Sequence, residues 1–512
     1  MVLRNCIAAV SGDARGIGCL LVLAVSILSG CAVNSPQLTV PIAAPAQWFA
    51  PLPVVTPTSA PNPASSLPHN GSLTSLSQWW QQQNDPLLVE LIDAAQAVSP
   101  SIITARSNIQ QAQSARDVSA ASLLPTLDAA GNASRSLSPP INRTTTPALV
   151  NSAQLGLQTS WEIDLFGQNE ASLNADKERL LGASARWHEA RVTVAAEVAT
   201  YYYNLRACEN QLLVTSADAR SRLQTSRLTA QLTSAGFAAP ATAGLARASA
   251  AEGNSRMTQQ RAECEMIVKA LSAITALPEP DLRRKLAQAP LLPVQQGIAD
   301  ISSVPADVLG QRPDVYSAAR ELGAASHDVG SARAQRYPRL MLNGSIAANK
   351  ARARGFTQSY NTWSIGPVAL TIPLFDGGAA DANIDAAKAR YEEAAGKYRA
   401  SVRQAVREIE EALVNLQSTT DRQSDTDTAA EGYSASFAGT EARYKAGLAS
   451  LVELEDSRRV LLAAQSGLVS LARERRSAWI ALYRALGGGW NTVLPTAPPM
   501  AFTIPLAFLP DW

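Results

Sequence analysis

The hydrophobic and polar positions of residues 154–163 alternate strictly. The side chains that share one side are Leu155, Leu157, Thr159, Trp161 and Ile163, and polar residues or glycine lie between them. A period of two predicts a β-strand with one apolar and one wet face. About ten residues suffice for a strand that spans a membrane as part of a barrel. A preceding strand is predicted at 126–135, so that residues 126–163 form a β-hairpin.

A second β-hairpin is predicted at 339–372, with strands at 339–348 and 362–372 and a loop at 349–361. Its alternation is poorer, and Pro367 removes one ladder hydrogen bond from a strand. Four strands cannot close a barrel, and open strand edges are not tolerated in lipid. We therefore expect copies of the chain to complete a barrel together. The alternative is an ordinary soluble β-sheet patch inside a helical protein.

Long helical segments follow each β-hairpin. Residues 170–234 contain no proline and would extend about 100 Å as a helix. The chain returns in a second helix, which completes a helical hairpin over 170–277, and residues 379–486 repeat the arrangement. Stripes of Ala, Val and Leu are interrupted by polar positions, without leucine heptads. This pattern favours the wall of a hollow cylinder with a wet inner face over a two-stranded rod.

The chain consists of two similar halves. Pro100 and Pro125 recur as Pro313 and Pro338 with the same separation, and a glycine turn follows each pair at nearly the same distance. A repeat of this length is a duplicated half rather than a solenoid unit. The first structural repeat is assigned to 78–300, the second to 301–490, and a C-terminal tail to 491–512.

The N-terminus has the features of an export signal. Basic residues precede an apolar run at 17–28, which is too short for a membrane span, so residues 1–30 are predicted to be a signal peptide. Leu28-Ser29-Gly30-Cys31 resembles the lipobox of bacterial lipoproteins, which implies covalent lipid on Cys31 and, with Ala32 following, outer-membrane sorting. An ordinary secretory signal with an incidental cysteine is the alternative. Residues 31–77, rich in Pro, Ser, Thr and Ala, are predicted to form an extended tether.

Two further cysteines lie in the predicted first helical hairpin. Cys208 and Cys264 are equally far along the chain from Gly236 on either side. If Gly236 marks the tip of an antiparallel helical hairpin, the two thiols face each other at one level. A disulfide is then expected in an oxidising compartment. The alternative is two buried free thiols.

Composition offers little support for an enzyme or a nucleic-acid-binding protein. The 44 Lys and Arg residues nearly equal the 43 Asp and Glu residues, so no basic excess favours nucleic acid. His188 and His327 stand alone without further ligands at metal-binding spacing, and neither a nucleophile elbow nor a phosphate-binding loop is found. We expect no enzyme activity and no cofactor beyond the lipid. The pairs Glu410-Glu411 and Arg458-Arg459 are interpreted as solvated helix faces.

Several motifs together resemble the outer-membrane factor family of TolC/OprM-like channels, and most closely its NodT-type efflux lipoproteins. They are Trp79-Trp80, Leu124-Pro125, the segment 161–167, Arg312-Pro313-Asp314, the segment 373–378 and the segment 485–490. The resemblance implies a mostly α fold with a membrane β-barrel portion. The implied fold is a TolC-like trimeric α/β barrel, to which each protomer would contribute four strands and long antiparallel helices.

The same resemblance implies a function and partners. The chain would be the outer-membrane exit duct of a tripartite efflux pump, passing small toxic or amphipathic compounds from the periplasm to the outside. Its partners would be two further copies in a homotrimer, a periplasmic adaptor protein, an inner-membrane pump, most simply of the RND type, and outer-membrane lipid. Two alternatives stay open: the outer-membrane component of a protein secretion system, and a structural lipoprotein with helical rods.

The resemblance also implies a gate at the periplasmic helix tips. Glu453 and Asp456 match the family's two acidic gate positions, six and nine residues beyond Gly447. Their spacing places both carboxylates on one helix face, and a ring of three copies would attract cations and raise the carboxyl pKa values. A solvated acidic helix face is the alternative. Ala449 stands where the family has a basic latch residue.

Gly236 and Gly447 mark the tips of the two helical hairpins, where the resemblance implies that an adaptor docks. Glycines that merely supply a positive φ for a turn are the alternative at both positions.

Overall fold

The computed structural model describes residues 85–138, 147–289 and 312–489, together with residues 50, 80 and 309. The described residues do not include the predicted signal peptide 1–30, the lipid site Cys31 or the tail 491–512. Of the predicted tether 31–77 only Ala50 is described, and of the motif Trp79-Trp80 only Trp80. The elements, in order, are α1 (Pro86–Val98), α2 (Pro100–Ala121), β1 (Thr126–Ser138), β2 (Ala148–Ile163), α3 (Gln168–Ser234), α4 (Pro240–Thr275), α5 (Glu279–Gln288), α6 (Pro313–Ala334), β3 (Arg339–Ala353), β4 (Phe356–Thr371), α7 (Ala379–Asp421), α8 (Gln423–Lys445), α9 (Leu451–Ala485) and a short 3-10 helix (Gly487–Gly489).

The four strands form one antiparallel sheet in the order β1-β2-β3-β4. Both predicted β-hairpins are confirmed, and in each of them the strands are longer and the connection shorter than expected. The predicted loop 349–361 is wrong, because β3 and β4 continue to Ala353 and Phe356 and leave only Arg354 and Gly355 between them. Both turn residues have positive φ, 51° and 84°, the backbone conformation that two-residue hairpin turns require.

Pro367 lies at an irregularity in the ladder. Leu342 pairs with Val368 and Gly344 pairs with Ile365, so the register shifts between the two pairs. A bulge leaves backbone groups out of the ladder, and a proline without an N–H group is tolerated there. The strand therefore continues through the proline that made its prediction doubtful.

The sheet has one apolar and one polar face. Large side chains on the apolar face are exposed in the single chain, with Trp363 76% and Ile365 86% exposed. Register places Leu157 and Ile346 on the same face. The opposite face carries Gln158, Ser345 and Ser364, which are neighbours across three strands. This is the arrangement of a membrane strand that faces lipid on one side and water on the other.

The long helices follow the predicted hairpins closely. Helix α3 contains 67 residues and spans about 100 Å, and α4 returns beside it. In the second helical hairpin, predicted at 379–486, the first long helix is interrupted at Arg422, which separates α7 from α8. A short helix that was not predicted, α5, follows the first helical hairpin. Its two acidic residues in the first turn and Lys285 in the last turn complement the helix dipole.

The main apolar core lies about midway along the long helices, where α1, α5 and α6 pack against them. Fully buried side chains in this region include Leu88, Leu91, Tyr202, Leu271 and Trp479. The Tyr202 hydroxyl donates to the Asp85 carboxylate at 2.6 Å, and Asp85 caps α1 by accepting from the Leu88 N–H. The helical hairpins are thus held together at their centre, with their tips extending away from the core.

Contacts near this core correct one interpretation from the sequence. The Ala50 N–H donates to Glu410 at 2.6 Å, and Ala50 is buried. Glu410 is accordingly half-buried rather than solvated, while Glu411 beside it is exposed. The chain thus contacts α7 well before the first described helix.

The hairpin of α3 and α4 brings Cys208 and Cys264 together. Their sulfur atoms are 2.07 Å apart and their Cα atoms 5.6 Å apart, and both residues are buried. This is the pairing that the symmetric spacing around Gly236 predicts.

None of the described helices is by itself long and apolar enough to cross a membrane, although α1 and α2, bent by 50°, meet that criterion as a pair.

Candidate functional site at the helix tips

The two helical hairpins end in matching turns. In the first, the Phe237 N–H donates to the Leu232 carbonyl at 2.8 Å, and in the second the Leu448 N–H donates to the Arg443 carbonyl at 2.8 Å. Between these residues, Gly236 and Gly447 have φ of 80° and 75°. This hydrogen-bond pattern, closed by a residue in the left-handed region, ends helices and favours glycine.

Each tip presents one large apolar side chain to solvent. Phe237 is 82% exposed and Leu448 is 70% exposed. The space beside Gly236 and Gly447 is open, because a Cβ added at either residue would meet nothing within 4 Å. The positive φ is therefore sufficient reason for glycine at both tips. A docking role for the two glycines stays a prediction.

Glu453 lies in the first turn of α9 and caps it. Its backbone N–H donates to the Ser450 hydroxyl at 3.1 Å, and its carboxylate accepts from the Ser450 backbone N–H at 2.6 Å. This reciprocal capping box satisfies two backbone donors at the start of the helix. The hydrogen bond from the Ser450 backbone lowers the pKa of the Glu453 carboxyl. The side chain therefore supports the turn as well as carrying a charge.

Asp456 has different surroundings. Its side chain is 59% exposed and its carboxylate accepts from Arg459, one turn further along α9, at 2.8 Å. An exposed pair of this kind holds a carboxylate weakly. Of the two predicted gate carboxylates, Asp456 takes part only in this exposed ion pair among the described contacts, whereas Glu453 also caps its helix.

A third carboxylate, Glu455, joins the two helical hairpins. It accepts from Arg222 of α3 at 2.8 Å and from the Ser249 hydroxyl of α4 at 2.8 Å. Arg222 is in turn bonded to Asp218 at 2.9 Å, and both side chains are almost completely buried. The ion pair thus connects α9 with both helices of the first hairpin.

Arg458, one turn beyond Glu455, completes this buried cluster. It contacts the other oxygen of Glu455 and donates to the hydroxyls of Ser221 at 3.0 Å and Thr225 at 2.9 Å. Its side chain is 2% exposed, and its guanidinium lies 5.5 Å from the centre of the Phe437 ring. Burial lowers the pKa of Arg458. We call Asp218, Arg222, Glu455 and Arg458 the tip cluster.

The interpretation of Arg458-Arg459 as a solvated helix face is therefore wrong for Arg458. Only Arg459 is exposed, with 74% of its side chain accessible. The spacing contained a usable signal: Leu451, Leu454 and Arg458 recur three and four residues apart, and both leucines are buried. A charged residue in line with a buried apolar stripe is a candidate for a buried ion pair.

A close helix contact makes the tip cluster possible. Gly253 of α4 lies against α3, where an added Cβ would approach the Arg222 side chain to 2.8 Å and the Ala219 Cα to 3.3 Å. A further hydrogen bond between the two hairpins lies nearer the tip, where the hydroxyls of Thr229 and Tyr444 are 2.8 Å apart. The second hairpin is thus joined to the first by buried polar contacts, although Ala449 provides no charge at the turn.

A family model decides the relationship of this chain to known proteins. The model for "Outer membrane efflux protein" matches residues 91–276 and 304–488, which together are well over half of the sequence. The chain belongs to the outer membrane efflux protein family. The family assignment made from the motifs is confirmed, and so is the location in the outer membrane.

Individual relatives agree with this assignment. The chain is 28% identical to the solvent efflux pump outer membrane protein SrpC of Pseudomonas putida, over 80% of this chain and 86% of that one. It is 26% identical to Nodulation protein T of Rhizobium leguminosarum bv. viciae, over 85% and 88% of the two chains. The outer membrane channel CmeC of Campylobacter jejuni has the same fold, with a TM-score of 0.79 at 23% identity, covering 91% of this chain and 96% of that one.

The structure and the relatives also bear on the chemistry of the tips. No group of three His, Cys, Asp or Glu residues that could hold a metal ion occurs in the described parts of the chain. The solved relative is a channel, and the named relatives include an efflux pump component. The tip residues provide two exposed carboxylates, Glu453 and Asp456, and buried ion pairs that connect the helices.

Proposed function

We propose that this protein is the exit duct of a tripartite efflux pump and works as a homotrimer in the outer membrane. The observation that carries the proposal is a sheet whose outer strands, β1 and β4, each have one unpaired edge among the described residues, together with an exposed apolar face. Backbone groups at such edges must be paired when they lie in lipid. Pairing β1 of one protomer with β4 of the next satisfies them and closes the sheet.

The duct is passive, and its partners provide energy and cargo. A periplasmic adaptor would join the helix tips to an inner-membrane pump, and the RND type is the simplest choice. The relatives SrpC and TtgI are named for solvent and toluene efflux. Small toxic or amphipathic compounds are the proposed cargo of this chain on that basis. A polar inner sheet face allows them to pass with water.

The proposed roles of individual residues follow from their positions. Asp456 and Glu453 would form a ring of carboxylates at the closed tips in the trimer. The turns at Gly236 and Gly447, with their exposed neighbours Phe237 and Leu448, would receive the adaptor. Lipid on Cys31 would anchor the chain, together with the membrane strands, because one acyl chain alone holds a protein only marginally.

Conductance measurements on the purified protein test the proposal. A trimer in detergent that opens ion-conducting channels in planar bilayers is expected. A monomer that conducts no ions would contradict the duct and favour the rod-like lipoprotein. A deletion strain should become more susceptible to solvents and toxic amphipathic compounds. Loss of secreted proteins without such a change in susceptibility would favour protein secretion instead.

A further inference from the structure

The outward face of the sheet carries only basic charges. Register assigns Arg135, Lys350 and Arg352 to the same face as Trp161 and Trp363. Among the outward residues of the four described strands, these three are the charged ones, and none is acidic. The polar inner face, by contrast, contains Asp128, Glu162 and Arg339.

The three cations lie close together at one end of the strands. Arg135 and Arg352 are both register partners of Asn151, from opposite sides, and so are two strand spacings apart, about 10 Å. Lys350 precedes Arg352 by two residues on β3, about 7 Å away. Long Arg and Lys side chains at these separations can reach one anionic group. We call these three residues the rim cluster.

The rim cluster lies at the membrane boundary opposite the helices. Trp161, whose indole N–H donates to the Leu123 carbonyl at 3.0 Å, marks the helix-side boundary. From Trp161 to Asn151 the strand rises about 33 Å, which is about 25 Å along the membrane normal at a tilt of about 40°. This is the height of the apolar band of an outer-membrane barrel, so Arg135 and Arg352 reach the outer headgroup level.

The cations have no counter-charge of their own. All three residues are exposed, and in the described part of the chain none of them is engaged in an ion pair. A charged residue on a lipid-facing surface is least costly near the interface, and costs least where an anion accompanies it. The outer headgroup level supplies such an anion only if the lipid itself carries one.

We propose that the rim cluster binds the phosphate groups of an anionic glycolipid in the outer leaflet of the outer membrane. Arginine forks match phosphate oxygens in a bidentate manner, and Lys350 adds a point charge between them. The apolar side chains below, such as Trp363 and Ile346, would contact the acyl chains of the same lipid. The inference rests on the membrane position of the strands and is independent of the transported compound.

Binding of a phosphorylated glycolipid tests the inference. Purified protein in neutral detergent is titrated with a diphosphorylated diglucosamine lipid, and with the same lipid after enzymatic dephosphorylation. The wild type is expected to bind only the phosphorylated form. Since each cation near an anionic lipid contributes about a fivefold gain in affinity, the triple variant Arg135→Gln, Lys350→Gln, Arg352→Gln should bind on the order of a hundredfold more weakly.

A matched control removes the same charges elsewhere. The variant Arg106→Gln, Lys177→Gln, Arg261→Gln changes two arginines and one lysine that are exposed on helices outside the sheet. It should bind the glycolipid as the wild type does. Single-channel conductance equal to that of the wild type shows that each variant is folded and assembled, which separates a failure of this inference from a failure of the duct proposal.

Three outcomes would overturn the inference. The first is that the rim variant binds the glycolipid as tightly as the wild type does, and the second is that the wild type binds the dephosphorylated lipid as tightly as the phosphorylated one. The third is that inorganic phosphate saturates the site with the same affinity as the lipid, which would indicate a site for free anions. If the rim variant does not assemble, the salt dependence of glycolipid binding by the wild type tests the inference instead. Affinity that is unchanged between about 0.1 and 0.5 M salt contradicts recognition of phosphate by the exposed cations.

Discussion

Arg222 in the first helical hairpin and Glu455 in the second form an ion pair of 2.8 Å whose arginine side chain is only 5% exposed. Because the pair crosses between hairpins, it couples the position of α9 to that of α3. Removing one partner of a buried pair leaves an uncompensated charge, which costs about 3–5 kcal/mol. The tip cluster is therefore a structural connection as well as a set of charges.

Glu455→Gln is expected to destabilise the protein by about 3–5 kcal/mol and to loosen the tips, because Arg222 and Arg458 then lose their shared carboxylate. Thermal unfolding in detergent measures the first effect, and conductance of the closed channel measures the second. Arg459→Gln is the matched control, since it breaks only the exposed pair with Asp456 and should cost less than about 1 kcal/mol. Equal behaviour of the two variants would disprove the structural role of the cluster.

Asp456→Ala, alone or with Glu453→Ala, should raise single-channel conductance or reduce the preference for cations, because ring carboxylates concentrate cations at a constriction. Glu453→Ala also removes the helix cap. Glu453→Gln separates the two effects, since the amide oxygen can still accept from the Ser450 N–H while the charge is lost. Recordings that are unchanged in both conductance and selectivity would contradict the gate assignment.

His188 makes stability depend on pH. Burial, with a smaller contribution from Arg191, lowers its pKa to about 4 from an ordinary value of 6.5. The unfolded chain takes up a proton on this residue below pH 6.5, whereas the folded protein does so only near pH 4. The stabilisation is complete above pH 6.5 and is lost as the pH falls toward 4.

Thermal unfolding between pH 4 and pH 8 checks this expectation. The wild type should lose stability across that interval more steeply than His188→Gln, whose side chain does not titrate. The two proteins are compared in the same detergent and at the same ionic strength. Parallel pH curves for the two proteins would show that His188 is not the group responsible.

The disulfide between Cys208 and Cys264 closes a loop of 56 residues along the chain. In the chain-entropy view such a cross-link stabilises by about 4 kcal/mol. The double variant Cys208→Ala, Cys264→Ala should unfold at a lower temperature, and the wild type under reducing conditions should resemble it. Peptide mapping with and without reduction identifies the linked peptides. Free thiols in the mature protein would refute the cross-link.

Cys31→Ser tests the anchor. The variant is expected to assemble but to be retained less efficiently in the outer membrane, because the strands stay and the acyl chains are lost. Membrane fractionation measures retention, and mass spectrometry of the mature N-terminal peptide detects the lipid. A wild-type N-terminus without lipid would rule out the lipobox.

Sequence patterns predicted the elements better than their contacts. Proline-free segments and paired glycines located the long hairpins almost to the residue, because helix ends and turns depend on local chemistry. The burial of Arg458 and the contacts of Glu455 depend on which helix lies opposite, which no local pattern states. The strands of the second hairpin were predicted too short at the turn, because the polar residues 349–361 resemble a loop and only the cross-strand pairing shows that the ladder continues to Ala353 and Phe356.

The unpaired outer edges of β1, a strand of 13 residues, and of β4, a strand of 16, affect how the protein can be assembled in the membrane. A solitary protomer in hydrocarbon would expose a row of backbone donors and acceptors at each side, at a cost of several kcal/mol for every unsatisfied group. A single protomer is therefore not expected to insert into the membrane before it associates with other copies of the chain. The yield of mature protein should consequently fall more steeply than expression level when synthesis is reduced, since encounters between unassembled chains become limiting.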